Sequence, residues 1–245
     1  MTDMTMSQDL DSYIGAYGDD FAYAFDNAIM LNWYPKRIMA LSKSDARVLE
    51  LGIGHGYTSN LFSRHFNRYA VIDGSSSVIA QFRRQFPASS AEIVHSLFED
   101  YETEEKFDVV VMGFVLEHVH SPQQVLRHFA RFLAPGGRCF VAVPNAESLH
   151  RRFGHEAGLL PDLMTLGEGD KTLGHLRLYT VASLTQELTE CGFRVVAKEG
   201  IFLKPLTTRQ IVSLDLGADI LDGMCKVGVD YPELSAALLF EAELQ

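Results

Sequence analysis

Short apolar stretches alternate with longer helical patterns between Arg47 and Val143, and this rhythm limits the fold more than any other feature of the chain. The apolar stretches show no polar alternation, which is typical of strands in a parallel sheet that is covered on both faces. Strands and helices that alternate in this way predict an α/β fold with a doubly wound sheet. The stretches read "RVLELGI", "YAVIDG", "AEIVHSLF", "FDVVVMGFV" and "GRCFVAVPN".

The chain of 245 residues is long enough to bury one full hydrophobic core, so we predict a single domain. Within it, residues 1–46 are predicted to form a helical lid and residues 47–145 the core of the sheet. Glycines and basic residues interrupt the pattern over residues 146–179, which is typical of a binding cap. The pattern resumes over residues 180–245, where two further strands are predicted with helical segments between them.

The balance of charges narrows the class of ligand. With 32 acidic and 21 basic residues the chain has a formal charge of -11, which would repel a nucleic-acid backbone. No apolar run approaches the roughly 20 residues that cross a bilayer, and the N-terminus lacks the pattern of a secretory leader. The cysteines have no metal-ligand spacing. We therefore expect a cytoplasmic protein, monomeric or homodimeric, that binds neither nucleic acid nor a membrane.

Three closely spaced glycines, Gly52, Gly54 and Gly56, follow the first predicted strand. A dinucleotide site uses GxGxxG, whereas Tyr57 stands here at the position of the third glycine. The preceding Glu50 would repel a pyrophosphate and is suited to pair with a cationic amino group. These residues favour a ligand that has an adenine, a ribose and a zwitterionic amino-acid tail.

An acidic residue also ends the second predicted strand, in "YAVIDGSS". Asp73 follows Glu50 at the separation at which an acid can accept hydrogen bonds from both hydroxyls of a ribose. Enzymes that use a nicotinamide cofactor share this spacing, and an acid at this place can also cap the following helix. The spacing alone therefore indicates a ribose without deciding which cofactor carries it.

Taken in order with "FDVVVMGFVLEHV" and "LAPGGRCFVAVPN", these motifs resemble the class I S-adenosylmethionine-dependent methyltransferases. The resemblance covers the chain from about Arg37 to Phe202 and the last strand, and it is to the branch that methylates quinones and secondary metabolites. It implies a Rossmann-like sheet of seven strands, mostly parallel with one antiparallel strand. It also implies S-adenosylmethionine as the cofactor and S-adenosylhomocysteine as the product.

The resemblance implies which residues hold the cofactor. The glycines would approach its methionine part and ribose, and Asp73 would hold the ribose hydroxyls. Leu97 stands where many relatives have an aspartate near the adenine, and Arg37 would bind the cofactor's carboxylate unless it is a solvated surface residue. The implied cofactor residues are Arg37, Glu50, Gly52, Gly54, Gly56, Asp73, Gly74, Ser75, Leu97, Phe98, Glu99, Met112 and Gly113.

Methyl transfer from a sulfonium is an in-line displacement, so it needs an aligned nucleophile and the exclusion of water, and it requires no metal. Glu117 and His118 follow the fourth predicted strand, where the family often presents residues to the methyl acceptor. If the acceptor is a hydroxyl, His118 is a candidate general base, because imidazole titrates near neutral pH. Alternatively, His118 packs at the start of the next helix and Glu117 caps it.

Aromatic residues are dense near the N-terminus, and hydrogen-bond donors are dense in the cap. Tyr17 and Tyr34 are candidates for a dry lid over the acceptor. In "HLRLY" the period of two puts His175, Arg177 and Tyr179 on one side of an extended segment. Arginine binds an anion through two parallel hydrogen bonds, so these cap residues predict an anionic or strongly polar acceptor.

The sequence thus predicts a methyltransferase that acts on a polar, anionic small metabolite, with O-methylation favoured over N-methylation. Two other classes of protein stay open. One is a regulatory or partner subunit that binds S-adenosylmethionine without catalysis. The other is a nicotinamide-dependent oxidoreductase, against which the GxGxG spacing and Tyr57 count.

Overall fold

One seven-stranded sheet forms the centre of the protein in the computed structural model, which describes residues 24–245. Its strands are β1 (Arg47–Leu51), β2 (Arg68–Asp73), β3 (Glu92–His95), β4 (Phe107–Gly113), β5 (Leu133–Pro144), β6 (Phe193–Ile201) and β7 (Ala237–Leu244). They lie in the order β3-β2-β1-β4-β5-β7-β6, and only β7 runs antiparallel to its neighbours. The prediction of a doubly wound, mostly parallel sheet with one antiparallel strand is confirmed.

Helices cover the sheet, and polar residues start several of them. Ser75 begins α3 (Ser76–Gln85) by accepting a hydrogen bond from the Val78 amide at 3.1 Å. Thr180 begins α7 (Val181–Glu190) by accepting one from the Ser183 amide at 3.0 Å. Such caps satisfy amides that have no partner inside the helix. Within residues 24–245 the helices are α1 (Ala24–Leu41), α2 (Tyr57–His65), α3 (Ser76–Gln85), α4 (Pro122–Ala130), α5 (Leu149–Glu156), α6 (Glu168–Thr172), α7 (Val181–Glu190), α8 (Thr208–Ser213) and α9 (Ala218–Gly228).

Two hydrophobic layers lie on opposite faces of the sheet, because alternate residues of a strand face opposite sides. Leu49 and Leu51 of β1 face a layer that includes Phe129 of α4 and Leu184 of α7. Val48 of β1 faces the other layer, to which α1, α2 and α3 contribute. Burial on both faces explains why the strands carry apolar residues without polar alternation.

The order of the strands reverses between β1 and β4. From β1 the chain continues to β2 and β3 on one side of the sheet, and β4 and β5 lie on the other side. Open α/β sheets bind their ligands at this point, outside the carboxyl ends of the strands. The loops after Leu51, Asp73 and Gly113 therefore meet at one edge of the sheet.

Residues 146–179, which we call the cap, connect β5 to α7 and contain α5 and α6. The cap ends beside the sheet, where the Ala146 amide donates to the Tyr179 carbonyl at 2.7 Å. The Leu176 amide donates to the Glu117 carbonyl at 2.8 Å. This second contact joins the end of the cap to the loop after β4.

Two general properties of the described residues bear on the class of protein. Cys139, Cys191 and Cys225 are buried free thiols, as expected for small apolar side chains. Between residues 24 and 245, no helix combines the length and the apolar character that crossing a membrane requires.

Candidate active site

A cavity of about 590 Å³ opens at the edge of the sheet where β1, β2 and β4 end. Its walls come from the loops after these strands, from α1 and from the cap. A volume of this size suits a small-molecule ligand. We call two parts of its lining the glycine-loop wall, made of Glu50, Gly52, Gly54, Gly56 and Asp73, and the histidine wall, made of Glu117, His118, Asp170 and His175.

The glycines of the glycine-loop wall adopt backbone angles that other residues rarely take. The angle φ is +78° at Gly52, +52° at Gly54 and +78° at Gly56. A Cβ atom at Gly56 would lie 2.6 Å from the Phe82 ring, so no side chain fits there. Glycine adopts these angles without a steric penalty. The loop therefore presents bare main chain to the cavity, as a ligand bound close to the backbone requires.

Glu50 of the glycine-loop wall is the next-to-last residue of β1 and is only 2% exposed. Its Oε2 accepts hydrogen bonds from the Ser59 hydroxyl at 2.7 Å and from the Tyr69 hydroxyl. Burial raises the pKa of the Glu50 carboxyl to about 8, because water no longer solvates its charge. A cation in the cavity would favour the ionised form, so Glu50 is suited to pair with an ammonium group.

Two backbone amides hold the Asp73 carboxylate at the end of β2. Its Oδ2 accepts from the Ile53 amide and its Oδ1 from the Ser75 amide, both at 2.8 Å. Because a carboxylate oxygen can accept more than one hydrogen bond, Asp73 is also suited to hydroxyl groups of a ligand. The bond to Ile53 ties Asp73 to the glycine loop, so two sequence motifs from neighbouring strands form one unit.

Residues predicted to surround an adenine line the cavity beside Asp73. Leu97 and Phe98 follow β3 and give this part of the cavity an apolar surface. Such a surface suits the flat face of an aromatic ring. The predicted residues found in this part are Gly74, Ser75, Leu97, Phe98 and Glu99.

Tyr34 of α1 packs against Gly113 at the end of β4, and both residues line the cavity. A Cβ atom at Gly113 would overlap the Tyr34 hydroxyl, so the close approach of α1 needs a glycine here. Met112 lies in the hydrophobic layer instead and is absent from the cavity lining, because alternate residues of a strand face opposite sides. Met112 is therefore not part of the cavity lining, unlike the neighbouring Gly113.

The histidine wall joins the loop after β4 to the end of the cap. Glu117 is fully buried, and neither of its carboxylate oxygens has a hydrogen-bond partner among residues 24–245. The rings of His118 and His175 meet edge to face with their centroids 4.8 Å apart. Burial raises the pKa of Glu117 to about 7 and lowers that of His118 to about 4, because it disfavours the charged form of each.

Arg37, which was predicted to bind the cofactor's carboxylate, does not line the cavity. Its guanidinium donates two hydrogen bonds to the Glu199 carboxylate of β6, at 2.8 and 2.7 Å. Such a bidentate pair has a well-defined geometry and connects α1 to the sheet. The guanidinium of Arg37 is therefore paired with a carboxylate that lies 162 residues further along the chain.

Arg177, predicted to contact the acceptor, is also absent from the cavity lining. It donates hydrogen bonds to the carbonyls of Leu116 at 2.7 Å and His120 at 3.1 Å, and to the carbonyl of Val119. The loop after β4 carries carbonyls that no strand satisfies, and Arg177 satisfies three of them. Its role in the structure is to hold this loop, which carries Glu117 and His118.

The other predicted acceptor residues have different positions. His175 lines the cavity, where its Nδ1 lies 3.1 Å from Asp170 Oδ1. Tyr179 lies outside the cavity lining, and its hydroxyl donates to the Glu187 carboxylate at 2.8 Å. The segment therefore does not keep its three polar side chains on one side. Tyr17 lies outside the described residues.

Two acidic residues of the cavity were missing from the sequence-based prediction. Asp170 of α6 holds His175, and its position five residues before His175 is the signal that could have identified it. Asp26 of α1 is buried and accepts a hydrogen bond from the Lys204 ammonium at 2.5 Å. Nothing in the sequence connects Asp26 with Lys204, because the two residues are 178 positions apart.

Comparison with known families and sequences points to methyl transfer. A model of a methyltransferase domain matches residues 29–198. A ubiquinone biosynthesis O-methyltransferase of Xanthomonas oryzae is 31% identical over 123 residues, which are 49% of this chain and 50% of that protein. The chain thus spans about half the length of that relative. A Coxiella burnetii protein of the same name is 25% identical over 202 residues, covering 80% of this chain and 82% of that protein.

Solved structures show the same fold. The 1,6-didemethyltoxoflavin-N1-methyltransferase of Burkholderia thailandensis has a TM-score of 0.64 and 17% identity, covering 98% of this chain and 87% of that chain. The N-methyltransferase NodS of Bradyrhizobium japonicum has a TM-score of 0.61 and 15% identity, covering 96% and 97%. Both were crystallised with S-adenosylhomocysteine. At such low sequence identity, these structural similarities show a shared fold and nothing more.

Proposed function

Because the chain belongs to the methyltransferase-domain family that matches residues 29–198, we propose that it transfers a methyl group from S-adenosylmethionine to a hydroxyl oxygen of a small polar metabolite. The observation that carries this proposal is that one cavity contains both the glycine-loop wall and the histidine wall. The first wall has the groups that this cofactor needs, and the second has polar groups for an acceptor.

The residues of the glycine-loop wall fit S-adenosylmethionine, which supplies a methyl group activated by a sulfonium sulfur. The buried Glu50 carboxylate is suited to the ammonium group of the amino-acid tail. Asp73, fixed by the amides of Ile53 and Ser75, is suited to the two ribose hydroxyls. The bare glycine backbone leaves space for a ligand that lies against it.

An oxygen acceptor is favoured over a nitrogen acceptor by the names of the relatives, since those from Xanthomonas and Coxiella are named O-methyltransferases. The oxygens of Glu117, which have no partner among residues 24–245, can accept a hydrogen bond from either kind of acceptor. The anionic acceptor that the sequence favoured has less support, because Arg177 binds backbone carbonyls and Lys204 pairs with Asp26.

The walls would accelerate methyl transfer chiefly by alignment and by the exclusion of water. Tyr34 and Gly113 close the cavity between α1 and β4, where they would limit the access of water. His118 is the candidate general base for the acceptor hydroxyl, and its neutral imidazole has the lone pair that this role needs.

Calorimetric titration of the protein with S-adenosylmethionine, S-adenosylhomocysteine and NAD tests the first half of the proposal. We expect both sulfur ligands to bind and NAD not to bind. Incubation with a metabolite extract and cofactor labelled at the methyl group then tests the second half, since mass spectrometry should find a small molecule that gains one labelled methyl. Cofactor binding without any labelled product would instead support a regulatory subunit, and NAD binding alone would contradict the proposal.

A further inference from the structure

The carboxylate of Glu117 has an unusual environment. The side chain is fully buried and lines the cavity, yet neither oxygen has a hydrogen-bond partner among residues 24–245. Buried carboxylates are normally paired with a cation, hydrogen-bonded or bound to a metal, because desolvation of the charge is otherwise costly. The missing partner of Glu117 is therefore expected to be a group that residues 24–245 do not supply, such as a bound ion.

Two neighbours of Glu117 are side chains that can bind a metal ion. One carboxylate oxygen of Glu117, one ring nitrogen of His118 and one ring nitrogen of His175 all lie within 4.8 Å of one another. Ligand atoms about 2.1 Å from a tetrahedral ion are about 3.4 Å apart, so side-chain shifts of about 1 Å would enclose an ion. Two imidazoles and one carboxylate are a ligand set typical of catalytic zinc.

Asp170 supports His175 in the way that metal-binding histidines are usually supported. Its Oδ1 lies 3.1 Å from His175 Nδ1, and its Oδ2 accepts from the Gly167 amide at 2.8 Å. A carboxylate partner favours the proton on Nδ1 and leaves the lone pair of Nε2 for a metal. A carboxylate, a histidine and a metal in series are a recurrent arrangement that orients the ring and raises its basicity.

The backbone around these ligands is also held in place. Arg177 ties together the carbonyls of Leu116, Val119 and His120, which flank Glu117 and His118. The Leu176 amide donates to the Glu117 carbonyl at 2.8 Å, next to His175. The two segments that carry the ligands are therefore fixed to each other before any ligand binds, as a site of defined geometry requires.

We propose that Glu117, His118 and His175 bind one divalent transition-metal ion, such as Zn²⁺, and that this ion holds an oxygen of the methyl acceptor. Imidazole ligands favour transition metals, whereas Mg²⁺ prefers oxygen ligands throughout. The metal site rests on the proposed methyltransferase function, because the acceptor is expected to occupy the same cavity. With the metal bound, His118 acts as a ligand and no longer as a general base.

Three protein ligands leave at least one coordination position open. A hydroxyl of the acceptor that binds there has a lowered pKa, so its proton passes to water and the oxygen remains as an alkoxide or phenolate. An ion with two open positions also binds an adjacent oxygen of the same molecule. The acceptor class that fits best therefore has two neighbouring oxygens, as in a catechol, a vicinal diol or a hydroxy acid.

Metal titration of the chelator-treated protein tests the site without relying on turnover. ZnCl₂ is titrated by calorimetry and CoCl₂ by visible absorption, since Co²⁺ bands report tetrahedral coordination. We expect one ion per chain, an affinity at least about 100-fold lower in Glu117→Gln and His175→Ala, and about 10–100-fold lower in Asp170→Asn. Glu156→Gln and His155→Ala change an exposed carboxylate and an exposed histidine outside the cavity lining, so they should bind like the wild type.

The metal site is overturned if the wild type shows no saturable binding of either ion, or if correctly folded Glu117→Gln and His175→Ala bind the ions as the wild type does. Circular dichroism checks the fold of each variant. Titration of the same chelated wild type with S-adenosylhomocysteine separates the two proposals. If S-adenosylhomocysteine binds but no metal does, the metal proposal is wrong and the methyltransferase function still stands. If S-adenosylhomocysteine binds neither to the metal-loaded protein nor to the chelated protein, the methyltransferase function itself is contradicted.

Discussion

The glycine-loop wall is built from one short stretch of chain, residues 50–73, whereas the histidine wall joins residues 117–118 to residues 170–175 of the cap. In the first wall, consecutive strands and their turns supply the whole geometry, and Asp73 reaches the loop through the Ile53 amide. In the second wall, two segments meet only because the cap returns to the loop after β4.

The two walls also differ in chemistry. The glycine-loop wall offers bare main chain and two carboxylates whose oxygens are held by neighbouring donors. The histidine wall offers two histidine rings and the Glu117 carboxylate, which has no hydrogen-bond partner within the described part of the chain. A wall made by local backbone suits a ligand that is common to a whole family, whereas a wall made by cap side chains can change with the acceptor. Substitutions in the two walls should therefore separate cofactor binding from catalysis.

Gly54→Val should have the largest effect, a loss of S-adenosylhomocysteine binding by at least about 100-fold. Valine is strained at a φ of +52°, and its side chain would enter the space of the ligand. Calorimetry measures the affinity. Gly136→Val is the matched control, because Gly136 has a φ of +75° and open space around its Cβ, outside the cavity lining. Equal losses in both variants would assign the effect to backbone strain instead of ligand space.

His118→Ala should lower the turnover number by about 10²–10⁴-fold, because the group that activates the acceptor is lost. The affinity for S-adenosylhomocysteine should stay unchanged, since His118 belongs to the other wall. The assay is methyl transfer to the acceptor found by mass spectrometry, with His155→Ala as a control at an exposed histidine. A turnover number near that of the wild type would leave alignment as the whole mechanism.

Asp73→Ala should weaken S-adenosylhomocysteine binding by about 2–3 kcal/mol, or about 30–150-fold, because two hydrogen bonds to a charged acceptor are lost. Asp73 also holds the amides of Ile53 and Ser75, so thermal unfolding must show that the variant is folded at the assay temperature. An unchanged affinity in a folded variant would contradict the assignment of Asp73 to the ribose.

The affinity for S-adenosylhomocysteine should rise with pH by up to about tenfold between pH 6 and pH 7, the smallest of these effects. The raised pKa of Glu50, about 8, means that the free protein keeps this carboxyl protonated below pH 8. Pairing with the ligand's ammonium group requires the ionised form, so binding releases a proton and is weakened as the pH falls.

Calorimetry at pH 7 in two buffers of different ionisation enthalpy measures this proton release directly. Glu50→Gln should bind more weakly, release no proton and remove the slope with pH. Tyr69→Phe is a milder comparison, because it removes one hydrogen-bond donor to Glu50 while keeping the carboxylate. A wild-type affinity that is independent of pH over this range would show that Glu50 does not pair with the ligand.

The glycine-loop wall was predictable from the sequence because its signals are local. Uninterrupted apolar strands, three glycines at positive φ and an acid at the end of each of two strands are set by neighbouring residues and by the parallel sheet. The ion pair of Arg37 was not predictable for the opposite reason, since its partner Glu199 lies 162 residues further along the chain. No local pattern reports an ion pair between such distant residues.

What the sequence determined by itself is the doubly wound sheet and the glycine loop at its switch point, because hydrophobic periodicity and glycine conformations act over a few residues. Only the tertiary structure decided the histidine wall. In "HLRLY" the polar side chains have different partners: Arg177 donates hydrogen bonds to carbonyls of the loop after β4, and His175 contacts Asp170. These contacts depend on where the cap returns to the sheet, and that is fixed by packing over the whole chain.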